Sequence, residues 1–231
     1  NDVLAHQADM DLMNMFTDNA AKQLKIEIEN ECFFEWFVTS GAAAANKGAT
    51  AGAKSGAYNL GTDTAPVDQA TPANVLNTIL AMASALDEQN VPESDRWLIM
   101  TPRDRNLLMQ TDIAQAYFTG DTSSIVRTGK IGQLDRFTVY VSNLLPKGAA
   151  AKALVNGQAA TSSGASLSNA KARRTMIAGH KSAVSFASQI SKTEPLRNQT
   201  DFGDIVRGLA VYGRKVVKDD ALVTAIVGSA S

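Results

Sequence analysis

The sequence predicts an α+β fold, and three observations carry that prediction. A long helical pattern with two apolar faces runs over residues 7–38, and an unbroken strand pattern runs over residues 205–217. Between them a helix, a short apolar strand and another helix follow closely, which implies a sheet covered on at least one face. With 231 residues the chain can bury a core, as one large domain or two smaller ones.

In the first helix, Met10, Met13, Thr17, Ala20, Leu24, Ile28 and Cys32 make one drifting stripe, and Met15, Ile26, Phe33 and Phe37 a second, nearly opposite. Two apolar faces need two partners. A helix of about thirty residues is about 45 Å long, more than a small domain is wide, so part of it should lie against a sheet or a neighbouring subunit. The aromatic cluster Phe33, Phe34, Trp36 and Phe37 reads as core or interface packing.

Residues 40–61 turn Gly/Ala-rich and read as an irregular connection or a weak edge strand. Gly48 to Ser55 has the outline of a phosphate-binding loop, but Ala53 stands where glycine should precede Lys54, and no buried strand leads into it. Thr71-Pro72 then opens a helix, with Thr as cap and Pro in the first turn, where its missing N–H costs nothing. Val75, Ile79, Met82 and Leu86 give that helix a buried face ending near Asn90. Trp97 to Met100 is a short apolar strand, and Thr101-Pro102 repeats the capping signal for a helix through Leu107, Leu108 and Met109.

After a turn at Gly129 to Gly132, Phe137, Val139 and Val141 alternate with Thr138 and Tyr140 as in a strand. Residues 147–171 read as an exposed loop holding a hairpin, residues 173–178 as a strand, and residues 181–189 as a helix carrying Ala183, Val184, Phe186 and Ala187. The strand over 205–217 would reach about 43 Å, well past the common length. Paired with a helix of similar length, it describes an elongated platform.

Composition narrows the function. The balance of 22 Lys+Arg against 23 Asp+Glu gives no sequence-wide basic field for gripping nucleic acid. The single cysteine, Cys32, excludes an intrachain disulfide and reads as a small core residue. No apolar run has transmembrane length, and the first residues lack the pattern of a signal peptide. The absence of an initiator Met suggests a processed or truncated chain.

No cofactor, metal or catalytic site emerges. His6 and His180 are the two histidines, with no Cys-His zinc spacing, and no Gly-X-Ser-X-Gly elbow occurs. Ser168-Asn169-Ala170-Lys171 matches a Ser-X-X-Lys pattern without its companion motifs, and Asn198-Gln199-Thr200 is a sequon without secretory context. His180 reads as a packing or capping residue. Glu27, Glu29, Glu31 and Glu35 read as a solvated face or an intersubunit ion-pair row.

Three phrases carry a resemblance. Asn90-Val91-Pro92-Glu93-Ser94-Asp95-Arg96-Trp97-Leu98-Ile99-Met100-Thr101-Pro102, then Ala178-Gly179-His180-Lys181-Ser182-Ala183-Val184-Ser185-Phe186-Ala187, then Phe202-Gly203-Asp204 through Leu222-Val223, stand in order over most of residues 90–227. Together they resemble the major capsid proteins of tailed phages (Caudovirales), and residues 7–38 are similar to the spine helix of that family. The resemblance implies the Hong Kong 97-type capsid fold: a long spine helix, long peripheral β-strands and an axial α/β domain. It places residues 1–72 in the peripheral domain, 73–198 in the axial domain, 199–221 in the peripheral long strand and 222–231 in the final axial strand. The family's N-terminal arm and extended loop are absent from this numbering, as if cleaved, disordered or left out.

The implied function is a coat protein, not an enzyme, that self-assembles into hexamers and pentamers of an icosahedral shell around double-stranded DNA. Implied partners are the chain itself, portal, scaffolding and cement proteins, and DNA held without sequence specificity. No membrane is involved, and the implied location is the virion capsid, with assembly in the host cytoplasm. Candidate intersubunit contacts are Met15, Ile26 and Phe33 on the helix and Arg207, Tyr212, Arg214 and Lys215 on the strand. Charge reversal at Arg214 is expected to impair assembly without unfolding the subunit. Two other readings stand beside this one: an encapsulin-type nanocompartment shell, separable by its contents, and a small α/β enzyme or ligand-binding domain, separable by staying a monomer or small oligomer.

Overall fold

The computed structural model describes residues 11–36, 41–62, 65–110, 132–145, 153–155, 158–160, 174–197 and 204–228. Helix α1, Asp11–Phe34, closes on a π turn at Glu35 and Trp36. Helix α2 is Pro72–Glu88 and helix α3 is Pro102–Leu108. The strands are β1 Val67–Asp68, β2 Arg96–Met100, β3 Gln133–Leu134, β4 Phe137–Val141, β5 Ala153–Val155, β6 Gln158–Ala160, β7 Arg174–His180, β8 Val184–Arg197, β9 Asp204–Val216 and β10 Leu222–Gly228.

Six of these strands form one mixed sheet in the order β1-β10-β7-β2-β4-β3. β7 runs antiparallel to both its neighbours, whereas β2 and β4 are parallel, joined through α3 and the chain that follows it. Central position shows in the burial: Arg174 to Gly179 of β7 are buried at every residue, so both sheet faces are covered there. The expected face of α2, Val75, Ile79, Met82 and Leu86, is fully buried in the same core as Leu98, Met100, Met176, Ile177 and Leu222. Trp36 at the end of α1 meets Trp97 of β2 at 5.6 Å between ring centroids. That contact ties the long helix to the sheet.

Both Thr-Pro signals open helices, by different means. The Thr101 hydroxyl accepts from the Asp104 amide as a cap should, while Thr71 makes no side-chain cap hydrogen bond. The Gly/Ala-rich segment 41–61 is irregular apart from one 3-10 turn and a single bridge between Ala51 and Tyr58. Its role is to cover the outer edge of β10. Ala43 N–H donates to the Asp219 carbonyl, Ile226 N–H donates to the Leu60 carbonyl, and the Asn46 amide donates to the Asp220 and Leu222 carbonyls at 2.6 and 3.0 Å. Gly61 adopts φ +79°, and a Cβ there would run into the Ile226 carbonyl oxygen.

The remaining strands stand apart from this sheet. β5 and β6 pair as the hairpin expected within residues 147–171. β8 and β9 form an antiparallel ribbon with one bulge after Ser188. The helix expected over residues 181–189 is not formed: a turn at Lys181 and Ser182 leads into β8. Ala183, Val184, Phe186 and Ala187 fit a helical face, but Val184 and Phe186 also fit a period of two, and pairing with β9 selects the strand. The ribbon also straddles the expected domain boundary, since residue 198 lies between its two strands.

Candidate assembly surfaces

Glu31 joins the helix to the ribbon. Its Oε2 accepts from the Tyr212 hydroxyl and from Arg214 Nη1, both at 2.5 Å, while the Arg214 guanidinium sits 5.9 Å from the Tyr212 ring centroid. Phe186 of β8 stacks on Tyr212 from the neighbouring strand. Burial, then the hydrogen bond to Glu31, pushes the Tyr212 phenol up to about 12, so it stays a neutral donor. Cys32 is buried beside this cluster, and desolvation raises its thiol above the ordinary range, opposed by the Arg214 charge. A thiol so placed packs rather than reacts.

The candidate contact residues divide by position. Phe33 is buried and packs edge-on against Trp36, so its side chain belongs to the subunit's own core. Tyr212 and Arg214 are half-buried and engaged with Glu31, and Ile26 is half-buried on α1. Arg207 and Lys215 are exposed on β9. The Met15 side chain lies outside the described residues.

Beyond those positions, large parts of both long elements lie open. Every residue of α1 from Asp18 to Lys25 is exposed, including Leu24 at 43%. On the ribbon Phe186, Leu209 and Val211 are exposed at 50%, 58% and 43%. Of the acidic row on the helix, Glu27 and Glu29 are exposed, whereas Glu31 is the internal anchor just described. Its role was hidden because its partners lie some 180 residues away.

The features that hinted at chemistry serve structure. The backbone N–H groups of Lys54 and Ser55 both donate to Glu88 Oε2, at 2.8 and 3.0 Å. The loop that resembles a phosphate cradle therefore holds a carboxylate of its own chain. Hydrogen bonds from the Ser55 side chain and the Lys54 and Ser55 backbone lower the Glu88 carboxyl to about 2. Nδ1 of His180 accepts the Ser182 N–H and pairs with the Ser182 hydroxyl, closing the β7–β8 turn. His6, the Ser-X-X-Lys segment and the sequon lie outside the described residues. Among the described residues, no three His, Cys, Asp or Glu gather to hold a metal, and no helix is long and apolar enough to cross a membrane.

One buried ion pair and one with a buried arginine and an exposed aspartate brace the sheet. Asp104 at the head of α3 is fully buried, bound by Arg174 Nη2 at 2.7 Å and by the Thr101 hydroxyl at 2.6 Å. Arg96 of β2 is fully buried too, donating to the Pro92 and Val91 carbonyls and to Asp87, which also receives Arg136.

A family model described as Phage capsid protein matches residues 2–225. The chain belongs to the phage capsid protein family. That family is a structural one, in keeping with side chains spent on packing and bracing. None of the curated proteins matches the sequence. Among solved structures, the capsid of cyanophage P-SCSP1u is similar at a TM-score of 0.67 and 15% identity, over 99% of this chain and 69% of that one. A Mycobacterium phage Che8 structure gives 0.61 and 21% over 90% and 61%, and the mature capsid of bacteriophage PhiM1 gives 0.53 and 14% over 92% and 62%. Likeness at such identities establishes the fold, the α+β fold of phage capsid subunits. This phage capsid chain spans about three fifths to seven tenths of the length of those relatives.

Proposed function

We propose that this chain is a major capsid protein that self-assembles into hexamers and pentamers of an icosahedral shell enclosing double-stranded DNA. The observation that carries the proposal is the family match over nearly the whole chain, supported by the likeness to phage capsid structures. The subunit itself adds a physical reason. A helix exposed on every side for eight residues and a long ribbon outside the main sheet have too few contacts of their own to stand alone. Neighbouring copies would supply them.

In this reading the fold is of the Hong Kong 97 type, with α1 and the β8–β9 ribbon as peripheral unit and the six-stranded sheet with α2 and α3 as axial unit. The β5–β6 hairpin would stand toward a capsomer axis. Ile26, Arg207 and Lys215 are the contact positions that fit best, while Tyr212 and Arg214 shape the surface through Glu31. Portal, scaffolding and cement proteins, and DNA held without base reading, complete the set of partners, with assembly in the host cytoplasm. Sedimentation and negative-stain microscopy of the expressed full-length protein test the proposal. Closed shells are expected, and a stable monomer or small oligomer at all protein concentrations would overturn it.

A further inference from the structure

Gly208 and Gly213 lie inside β9, and the subunit gives neither a reason to be glycine. Neither has a positive φ, and a Cβ built on either meets nothing within 4 Å. Glycine weakens a strand interior, so such a position usually marks the close approach of something else. The outer edge of β9 is where it would come. Among the described residues, β9 pairs with β8 and with no other strand. Val217 N–H points to the Ala183 carbonyl, and strand alternation then aims the backbone groups of Gly208, Ala210, Tyr212 and Arg214 away from β8. Natural edges are blunted by proline or bulges, and β8 has both, in Pro195 and the bulge after Ser188. β9 has neither.

We propose that β9 pairs antiparallel with β9 of a second copy across a two-fold axis at Ala210, making a four-stranded β8-β9-β9-β8 sheet. Ala210 is the midpoint of Asp204–Val216, so this register uses the whole strand. It sets each unexplained glycine opposite a large side chain: Gly208 faces Tyr212 of the second copy, and Gly213 faces Arg207. Leu209 and Val211, both exposed in the single subunit, become direct cross-strand neighbours. No like charges stand opposite. Exchange of one patch for itself is what a two-fold contact requires.

The inference rests on the reading of the chain as a shell subunit, and its test separates the two. In full-length protein, Ala210→Cys places two thiols opposite each other at a Cα separation of about 5.5 Å, within disulfide reach. Mild oxidation should give a covalent dimer on a non-reducing gel, while Ser185→Cys, on the other strand, should give none. Ala210→Pro removes only an outward N–H, and Gly208→Val replaces glycine with a better strand former. Both should keep the near-ultraviolet signal of the Trp36–Trp97 pair and the wild-type melting temperature, yet, each combined with the Leu209→Cys/Val211→Cys pair, form at least tenfold less dimer than that pair alone. Normal shells without an Ala210→Cys dimer would overturn the inference and leave the function standing. Loss of assembly in Ala210→Pro without that dimer would assign the edge to a different occupant and overturn it equally. Failure of wild type to form shells would sink the functional reading, while the Ala210→Cys dimer would still decide the strand contact.

Discussion

Replacing Asn46 tests how the irregular segment holds the sheet. Its side chain is completely buried and uses both ends: Nδ2 donates to two carbonyls, and Oδ1 accepts from Gln89 at 3.2 Å at the end of α2. Asn46→Ala removes three hydrogen bonds, at about 1 kcal/mol each, and strands carbonyls that no strand can reach, so a loss of about 3 kcal/mol is expected. That is a large part of the ~5–15 kcal/mol that holds a domain. With a urea slope of about 2–3 kcal/mol/M, the midpoint should fall by about 1 M. Equilibrium unfolding of unassembled subunit, followed through Trp36 and Trp97, measures it. Asn46→Asp sharpens the reasoning: the shape is kept, but a buried carboxylate would face two carbonyl oxygens. It should be worse than Ala at neutral pH. Burial raises its folded-state pKa above the unfolded value, so part of the deficit should be recovered as pH falls through that raised pKa. An Asp variant as stable as wild type, or an Ala variant within about 0.5 kcal/mol of it, would refute the argument.

Three further outcomes follow from the braces described above. Asp104→Ala takes the counter-charge from a buried Arg174 and should cost about 3–5 kcal/mol, whereas pairing Asp104→Leu with Arg174→Met should recover most of that in the same urea experiment. Glu88 has its pKa depressed in the folded state to about 2, so its hold on Lys54 and Ser55 is complete above its unfolded pKa and is lost as pH falls through about 2. Amide exchange at those two residues should stay slow down to about pH 3 in wild type and be fast at all pH values in Glu88→Ala, which has no side-chain acceptor. Arg214→Glu sets a second carboxylate against Glu31, so it should lower subunit stability by about 1–3 kcal/mol while leaving the subunit folded, and the exchange Glu31→Arg/Arg214→Glu should restore part of the loss.

Local signals in the sequence were read reliably where one stretch of chain decides its own structure. The face of α2, the apolar β2 and the length of β9 all follow from periodicity and turn chemistry. Legibility ended where the deciding partner is distant. Residues 184–187 carry a pattern that serves helix or strand, and only β9 settles it. Asn46 sits among alanines and looks like loop filling, because the carbonyls it satisfies belong to residues 220 and 222. Asp104 and Arg174 are each unremarkable as surface charges until the fold buries them together.

The same contrast separates what the subunit explains about itself from what it does not. Gly61 is required by a positive φ and a neighbouring carbonyl, and the buried charges are required by one another. Gly208, Gly213, Leu209, Val211 and the exposed stretch of α1 from Asp18 to Lys25 have no such internal cause. Here the residues left over on β9 are small or apolar, and those on α1 form one exposed stretch of helix. A surface of that kind has its cause outside the chain, which is the condition a shell subunit must meet.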